Sequence, residues 1–312
     1  MREAITVTAF ALRGLGVFHH HIGLRLVGIV LLSIASAASY GLAAVLQHRA
    51  AIRAAPELSM RAGLLVHLAR RPMWLVGNAL DGAGYLFQFL ALRRGSLALV
   101  EPILVLSLVF ALPVAAWLDH RRVLPSELAS TGVVVAGLAL FLEVARPGLG
   151  HPDASGRVWI VLTAVIVVGC TTVAAGARHG APRRAAVLLG AGAGMAFGYV
   201  AALTERTGHL LDAGVIHTLG TWVPYAMVAG AVGALILTQS AFHAGALRLS
   251  LPTLTVAQPL VAVTIGLGFF GEHVDTRGAA PIFEVVGLAL VTYGVFALAQ
   301  SPVIGTDPQE AS

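Results

Sequence analysis

LLSIASAASYGLAAVLQHR (residues 31–49) and LLGAGAGMAFGYVAALTER (residues 188–206) lie 157 positions apart, a shift that sets Gly41 against Gly198 and Arg49 against Arg206. The same shift, with no gap, pairs Glu101 with Gln258, Pro102 with Pro259, Ser107 with Thr264 and Gly137 with Gly294. Alanine-rich composition raises isolated matches, but it does not hold one register across three separate apolar stretches. The chain therefore carries an internal repeat.

The repeated stretches are of membrane type. Of 312 residues, 57% are hydrophobic and 11% charged, which leaves too little polar surface to cover a soluble globule of this size. A bilayer core of about 30 Å takes roughly 20 mostly apolar helical residues, because backbone groups left unpaired in hydrocarbon are too costly. Nine stretches meet that demand, at 26–47, 72–92, 96–118, 125–145, 157–176, 184–204, 221–243, 250–271 and 281–299. The expected fold is an all-α polytopic membrane protein. Five crossings separate the two copies of the first stretch, so the second copy enters the bilayer in the opposite direction. The reading is a juxtamembrane segment (1–25), a four-helix repeat (26–145), a connecting helix with its loops (146–183), an inverted four-helix repeat (184–300) and a polar tail (301–312). Secondary transporters use this plan for alternating access.

All 20 basic residues are arginine, set against 15 Asp plus Glu, and no run of like charge forms. That argues against a nucleic-acid partner. The five arginines of the first long loop tip the orientation towards an outside N-terminus and an inside C-terminus. Within that loop RAGLLVHLARR (residues 61–71) reads as an interfacial amphipathic helix, with a short tenth membrane helix as the alternative. Three consecutive histidines, His19, His20 and His21, point in different directions and cannot close a metal site alone. A single cysteine, Cys170, excludes an intramolecular disulfide. HExxH, GxSxG and acidic clusters are absent from the sequence, so neither an enzyme nor a cofactor is expected. The expected place is the plasma membrane, and the expected partners are the lipid bilayer and a small-molecule or ion substrate, with a homodimer left open.

Several polar residues fall inside apolar stretches. Asp81 lies near the middle of the second, where an ionised carboxylate costs about 3 kcal/mol on insertion scales. With Asn78, Tyr85 and Gln88 it forms a stripe at spacings of three, four and three, so all four can face one cavity. Such a stripe reads as a cation or proton site, or as a buried carboxylate satisfied by a neighbour. Glu101 precedes Pro102 in the third stretch, as Gln258 precedes Pro259 in the eighth. Each proline is expected to break the helix and free a carbonyl one turn earlier, beside a polar side chain that either joins a substrate pathway or snorkels to the surface. Gln239 and His243 stand one turn apart on the seventh stretch, where His243 could respond to pH. Glu143 and Glu284 lie close enough to helix ends for snorkelling. Small residues recur every fourth position, Ser33, Ala37 and Gly41 in one stretch and Gly190, Gly194 and Gly198 in another. They serve either close static packing or a face on which one half rocks against the other.

The run LVEPILVLSLVFALPVAAWLDHR (residues 99–121), preceded by FLALRRGS (residues 89–96) and followed by Gly132 and Gly137, resembles the proline-bearing helix pair of the drug/metabolite transporter superfamily, EamA-like. AGALRLSLPTLTVAQPLVAVTIGLGFFGEH (residues 244–273) resembles it more closely, including the terminal Gly-Glu. A four, one, four arrangement of spans is most similar to the NIPA-type magnesium transporter branch, whose acidic residue in the second span Asp81 matches. The resemblance implies a secondary transporter of a small solute. Its alternatives are a divalent-cation transporter with Asp81 and Glu101 as oxygen ligands, and a membrane scaffold without transport.

Overall fold

The computed structural model describes residues 25–46, 71–118, 120, 122–148, 155–178, 181–244, 247–272 and 278–300. The histidines at 19–21, residues 61–70 of the segment 61–71 and the tail 301–312 lie outside the described residues, as do the side chains of Gln239 and His243. Every regular element among the described residues is helical. In chain order they are α1 (Arg25–Leu46), α2 (Pro72–Leu92), α3 (Leu97–Leu104), α4 (Leu106–Leu118), α5 (Pro125–Ala145), α6 (Gly156–Arg178), α7 (Pro182–Leu210), the short α8 (Val215–Leu219), α9 (Val223–Ala244), α10 (Leu247–Phe269) and α11 (Ala280–Ala299).

Helices form at each of the nine expected places. Seven are long and apolar enough to cross a membrane, the α3–α4 pair counting as one. α2 and α9 are not among those seven, since Asn78, Asp81 and Gln88 dilute α2, and the apolar part of α9 is the shorter Val223–Thr238. Ile160, Val161, Val165, Val167 and Val168 of α6 are all more than half exposed. So large an apolar face is stable against lipid and not against water. The chain is a membrane-embedded helical protein.

Local chemistry sets the helix ends. Pro125 occupies the first turn of α5, where its missing N–H costs nothing, and the Glu127 carboxylate accepts from the Leu124 N–H at 2.8 Å. The third expected stretch is broken at Val105 into α3 and α4, three residues past Pro102, whose ring clashes with the preceding turn. Pro259 behaves differently from the expectation. It sits inside the uninterrupted α10 along with Pro252, because one missing ladder bond is tolerated when neighbouring helices brace the segment.

Glycines decide which helices touch. A β-carbon on Gly194 would lie 2.6 Å from Ala257 Cβ and 2.7 Å from the Leu254 carbonyl oxygen; one on Gly190 would lie 2.7 Å from the Ser250 oxygen, and one on Gly198 2.7 Å from that of Gln258. Partners advance in step with the glycines, so α7 and α10 run parallel. Gly41 of α1 approaches Ser107, Phe110 and Ala111 of α4 in the same manner. Gly41 thus packs against a helix of the 26–145 segment, and Gly190, Gly194 and Gly198 against a helix of the 184–300 segment. The packing also corrects the gap-free alignment. Gly41 meets 107, 110 and 111 where Gly198 meets 258, 261 and 262, so Ser107, six residues beyond Glu101, occupies the place of Gln258.

One contact between the two stretches is that of α5 with α11. A β-carbon on Gly137 would lie 2.8 Å from both the Gly287 oxygen and the Val291 nitrogen, and one on Gly294 would lie 3.0 Å from the Ser130 oxygen and from the Val134 nitrogen. As residue numbers rise on α5 they fall on α11, so the helices are antiparallel. Residues 130, 134 and 137 meet 294, 291 and 287 in a pattern that is unchanged when each number is exchanged for its counterpart 157 away, which is the signature of a self-complementary contact. Gly194→Val should lower stability by about 1–3 kcal/mol, the usual cost of overpacking. Gly82→Ala, where a β-carbon meets nothing within 4 Å, should not; thermal unfolding in detergent reads both.

Candidate functional site

The buried centre is built around one carboxylate. Glu101 on α3 is 1% exposed. Gln88 Nε2 of α2 donates to its Oε1 at 2.8 Å, and Gln258 Nε2 of α10 donates to its Oε2 at 3.0 Å. Tyr40 of α1 donates its hydroxyl to Gln88 Oε1 at 2.8 Å, and Ser36, one turn earlier, donates to the Gly84 carbonyl at 2.7 Å. Four helices are thus tied through one continuous polar chain. Glu101 does not snorkel, since both its oxygens are satisfied internally, which is what a carboxylate in hydrocarbon requires.

The α2 stripe divides. Gln88 is buried and belongs to the Glu101 chain, whereas Asn78, Asp81 and Tyr85 are exposed. Asn78 donates to its own helix at the Trp74 carbonyl, 2.8 Å away. The Tyr85 hydroxyl lies 3.4 Å from Thr204 Oγ1 on α7 and donates to Met227 Sδ on α9 at 3.3 Å. Asp81, one turn before Tyr85, has an accessible carboxylate part-way along the helix. Glu143 is solvent-facing beside Arg146, as a helix-end glutamate should be.

A second group of polar contacts lies at the end of the bundle where α2 turns into α3. Arg93 pairs with Asp212 at 2.7 Å, and a β-carbon on Gly208 would lie 3.1 Å from Arg93 Cβ. Glu272, which follows α10, accepts from the Leu97 N–H at 2.8 Å and from the Ala98 N–H at 2.9 Å. It thereby satisfies the unpaired donors at the start of α3 and sits favourably at the positive end of that helix. Glu272 is 5% exposed. Burial pushes its carboxyl up to about 7, against the lowering pull of the Ala98 and Leu97 amides.

Sequence reasoning passed over three carboxylates that the fold buries: Glu127 at the start of α5, Glu205 and Glu272. Glu205 lies just beyond the apolar stretch that ends at 204, yet α7 continues to Leu210 and leaves Glu205 2% exposed. The signal was available in ALTER, which holds no helix breaker before Gly208. Glu272 was visible only as the end of a family-like motif. Its role needs the folded chain, because its partners Leu97 and Ala98 stand far away in sequence.

Gln258→Leu should cost about 1–3 kcal/mol, since it removes one donor from a buried carboxylate; urea unfolding of the detergent-solubilised protein measures it. The folded chain holds the Glu272 proton more tightly than the unfolded chain between about pH 4.5 and about pH 7, so unfolding releases it and stability falls as pH rises through that window. Glu272→Gln should flatten this fall, read as the slope of thermal midpoint against pH.

No family model matches the chain, and no solved structure matches it. An uncharacterized protein of Corynebacterium glutamicum is 31% identical over 269 residues, which cover 85% of this chain and 89% of that protein. An agreement of that extent cannot come from shared apolar composition in one or two helices, and the chain belongs to the same family as this corynebacterial protein.

Proposed function

We propose that the protein is a multi-pass secondary transporter of the plasma membrane that moves a small solute by alternating access between two inverted four-helix halves. The observation that carries this reading is Glu101, fully buried and held by one amide from each half, Gln88 and Gln258. Charged groups in the membrane interior are costly, and those that are present commonly mark substrate or ion pathways. The antiparallel, self-complementary packing of α5 on α11 around Gly137 and Gly294 supports the inverted arrangement, and the resemblance to the drug/metabolite transporter superfamily points the same way.

The two ends of the bundle differ. Arg93–Asp212 and Glu272 on Leu97 and Ala98 join the halves at one end. Asp81, on the other side of the Gln88 level, is exposed. An exposed carboxylate at that depth is at home in a water-filled crevice and not against lipid. On this reading the crevice opens towards Asp81, and opening at the other end requires the Glu272 and Arg93 contacts to part.

The divalent-cation alternative asks for several converging oxygen ligands. Both oxygens of Glu101 are taken by amide donors, and among the described residues no group of three or more His, Cys, Asp and Glu is placed to hold a metal ion. The solute reading is therefore preferred.

In a Cys170→Ala background, Asp81→Cys in sealed vesicles should react with a membrane-impermeant thiol reagent from one face only. Absence of reaction from either face removes the crevice. Asp81→Asn should abolish the solute-dependent thermal shift found by screening the purified wild type against magnesium, amino acids and amphipathic cations. If the shift survives at every pH, Asp81 is structural.

A further inference from the structure

We propose that Glu205 is a proton-binding site in the interior of the bundle and carries the ion that couples to transport. The coupling role rests on the transporter reading above; the binding of a proton at this residue does not.

Glu205 is 2% exposed, and its Oε2 has no hydrogen-bond partner. The charges that act on it are Glu272 and Glu101. Among the described residues no cation joins these two charges in acting on it. Arg93 of α2 is engaged by Asp212, and Arg206, turned by about 100° along the helix, lines a cavity of about 320 Å³ with Trp159, Thr221 and Trp222. A buried carboxylate oxygen that faces neither a donor nor a cation is compensated by a proton.

The neighbouring oxygens restrict the ligand further. Both oxygens of Glu101 accept from Gln88 and Gln258, and those of Glu272 accept from Leu97 and Ala98. What remains is one free carboxylate oxygen, enough for a proton and too few for a metal ion, which takes six or more oxygens in the hard-cation cases. On the same helix as Glu205, and one residue before it, Thr204 Oγ1 lies 3.4 Å from the Tyr85 hydroxyl of α2. The step itself is a simple transfer: hydronium in the crevice gives up one proton, the carboxylate becomes a carboxylic acid, and water is left behind.

Infrared difference spectra of the full-length protein in lipid vesicles, recorded between about pH 5 and about pH 9, test this directly. The carboxylic acid C=O absorption that appears on acidification should contain a component that is lost in Glu205→Gln, remains in Glu272→Gln and Asp81→Asn, and changes frequency in Glu205→Asp. Proton uptake per protein over the same range should drop by one in Glu205→Gln. The glutamine variant is close in shape to the protonated acid and should fold; Glu205→Asp supplies the frequency test even if it does not. Spectra of Glu205→Gln and Glu205→Asp that match wild type overturn the proposal. If the Glu205 band is found while Asp81→Cys stays unlabelled from both faces, the proton site stands and the transporter reading falls.

Discussion

Two amide groups, from Gln88 and Gln258, close on the carboxylate of Glu101 in a region where water is not at hand to replace them. In hydrocarbon every polar group must find its partner within the protein, and an ionisable one needs several. The helices that supply them cannot be placed independently. α2 must bring Gln88 to α3, α1 must bring Tyr40 to Gln88, and α10 must bring Gln258 across from a stretch 157 residues away. Charged and amide side chains thus specify neighbours in a bundle whose apolar surfaces match lipid as well as they match one another.

Close backbone approach makes that placement possible. Gly190, Gly194 and Gly198 let α7 lie against α10 at distances that a β-carbon would forbid, and Gly137, Gly287 and Gly294 do the same between α5 and α11. The first set holds Gln258 in position behind Glu101; the second joins the two stretches. Glu272 adds a different kind of tie. It fills the open amides at the start of α3 from a loop beyond α10, so the end of one helix is completed by a residue from elsewhere in the chain. A contact of two charge-assisted hydrogen bonds is strong enough to hold one arrangement and local enough to be exchanged for another.

The broken third helix shows how small a sequence feature separates two outcomes. Pro102 stands near a break and Pro259 in an unbroken helix, though both follow a polar residue in apolar runs. α3 is short and capped by Glu272 from outside, whereas α10 is braced along its length by the glycine face of α7. Proline removes one ladder bond in either case; what the rest of the helix rests on decides whether the chain bends.

Periodicity and composition alone determined that the protein is helical and membrane-embedded, roughly where each helix begins and ends, and that Asp81 and Glu101 are unusual residues, because a bilayer demands long apolar helices and penalises every charge within them. Only the tertiary structure decided which polar residues meet. Asp81 and Gln88 share a stripe on one helix yet part company, Gln88 inward and Asp81 outward, since a helix face says nothing about what stands opposite it. Glu205 and Glu272 lie beyond the apolar stretches that end at 204 and 271, and only the length of α7 and the fold of the segment after α10 onto α3 bury them. The gap-free repeat register held for α5 and α11 but slipped by six residues at α4 and α10, because backbone contact at Gly41 and Gly198, and not residue identity, sets how those helices align.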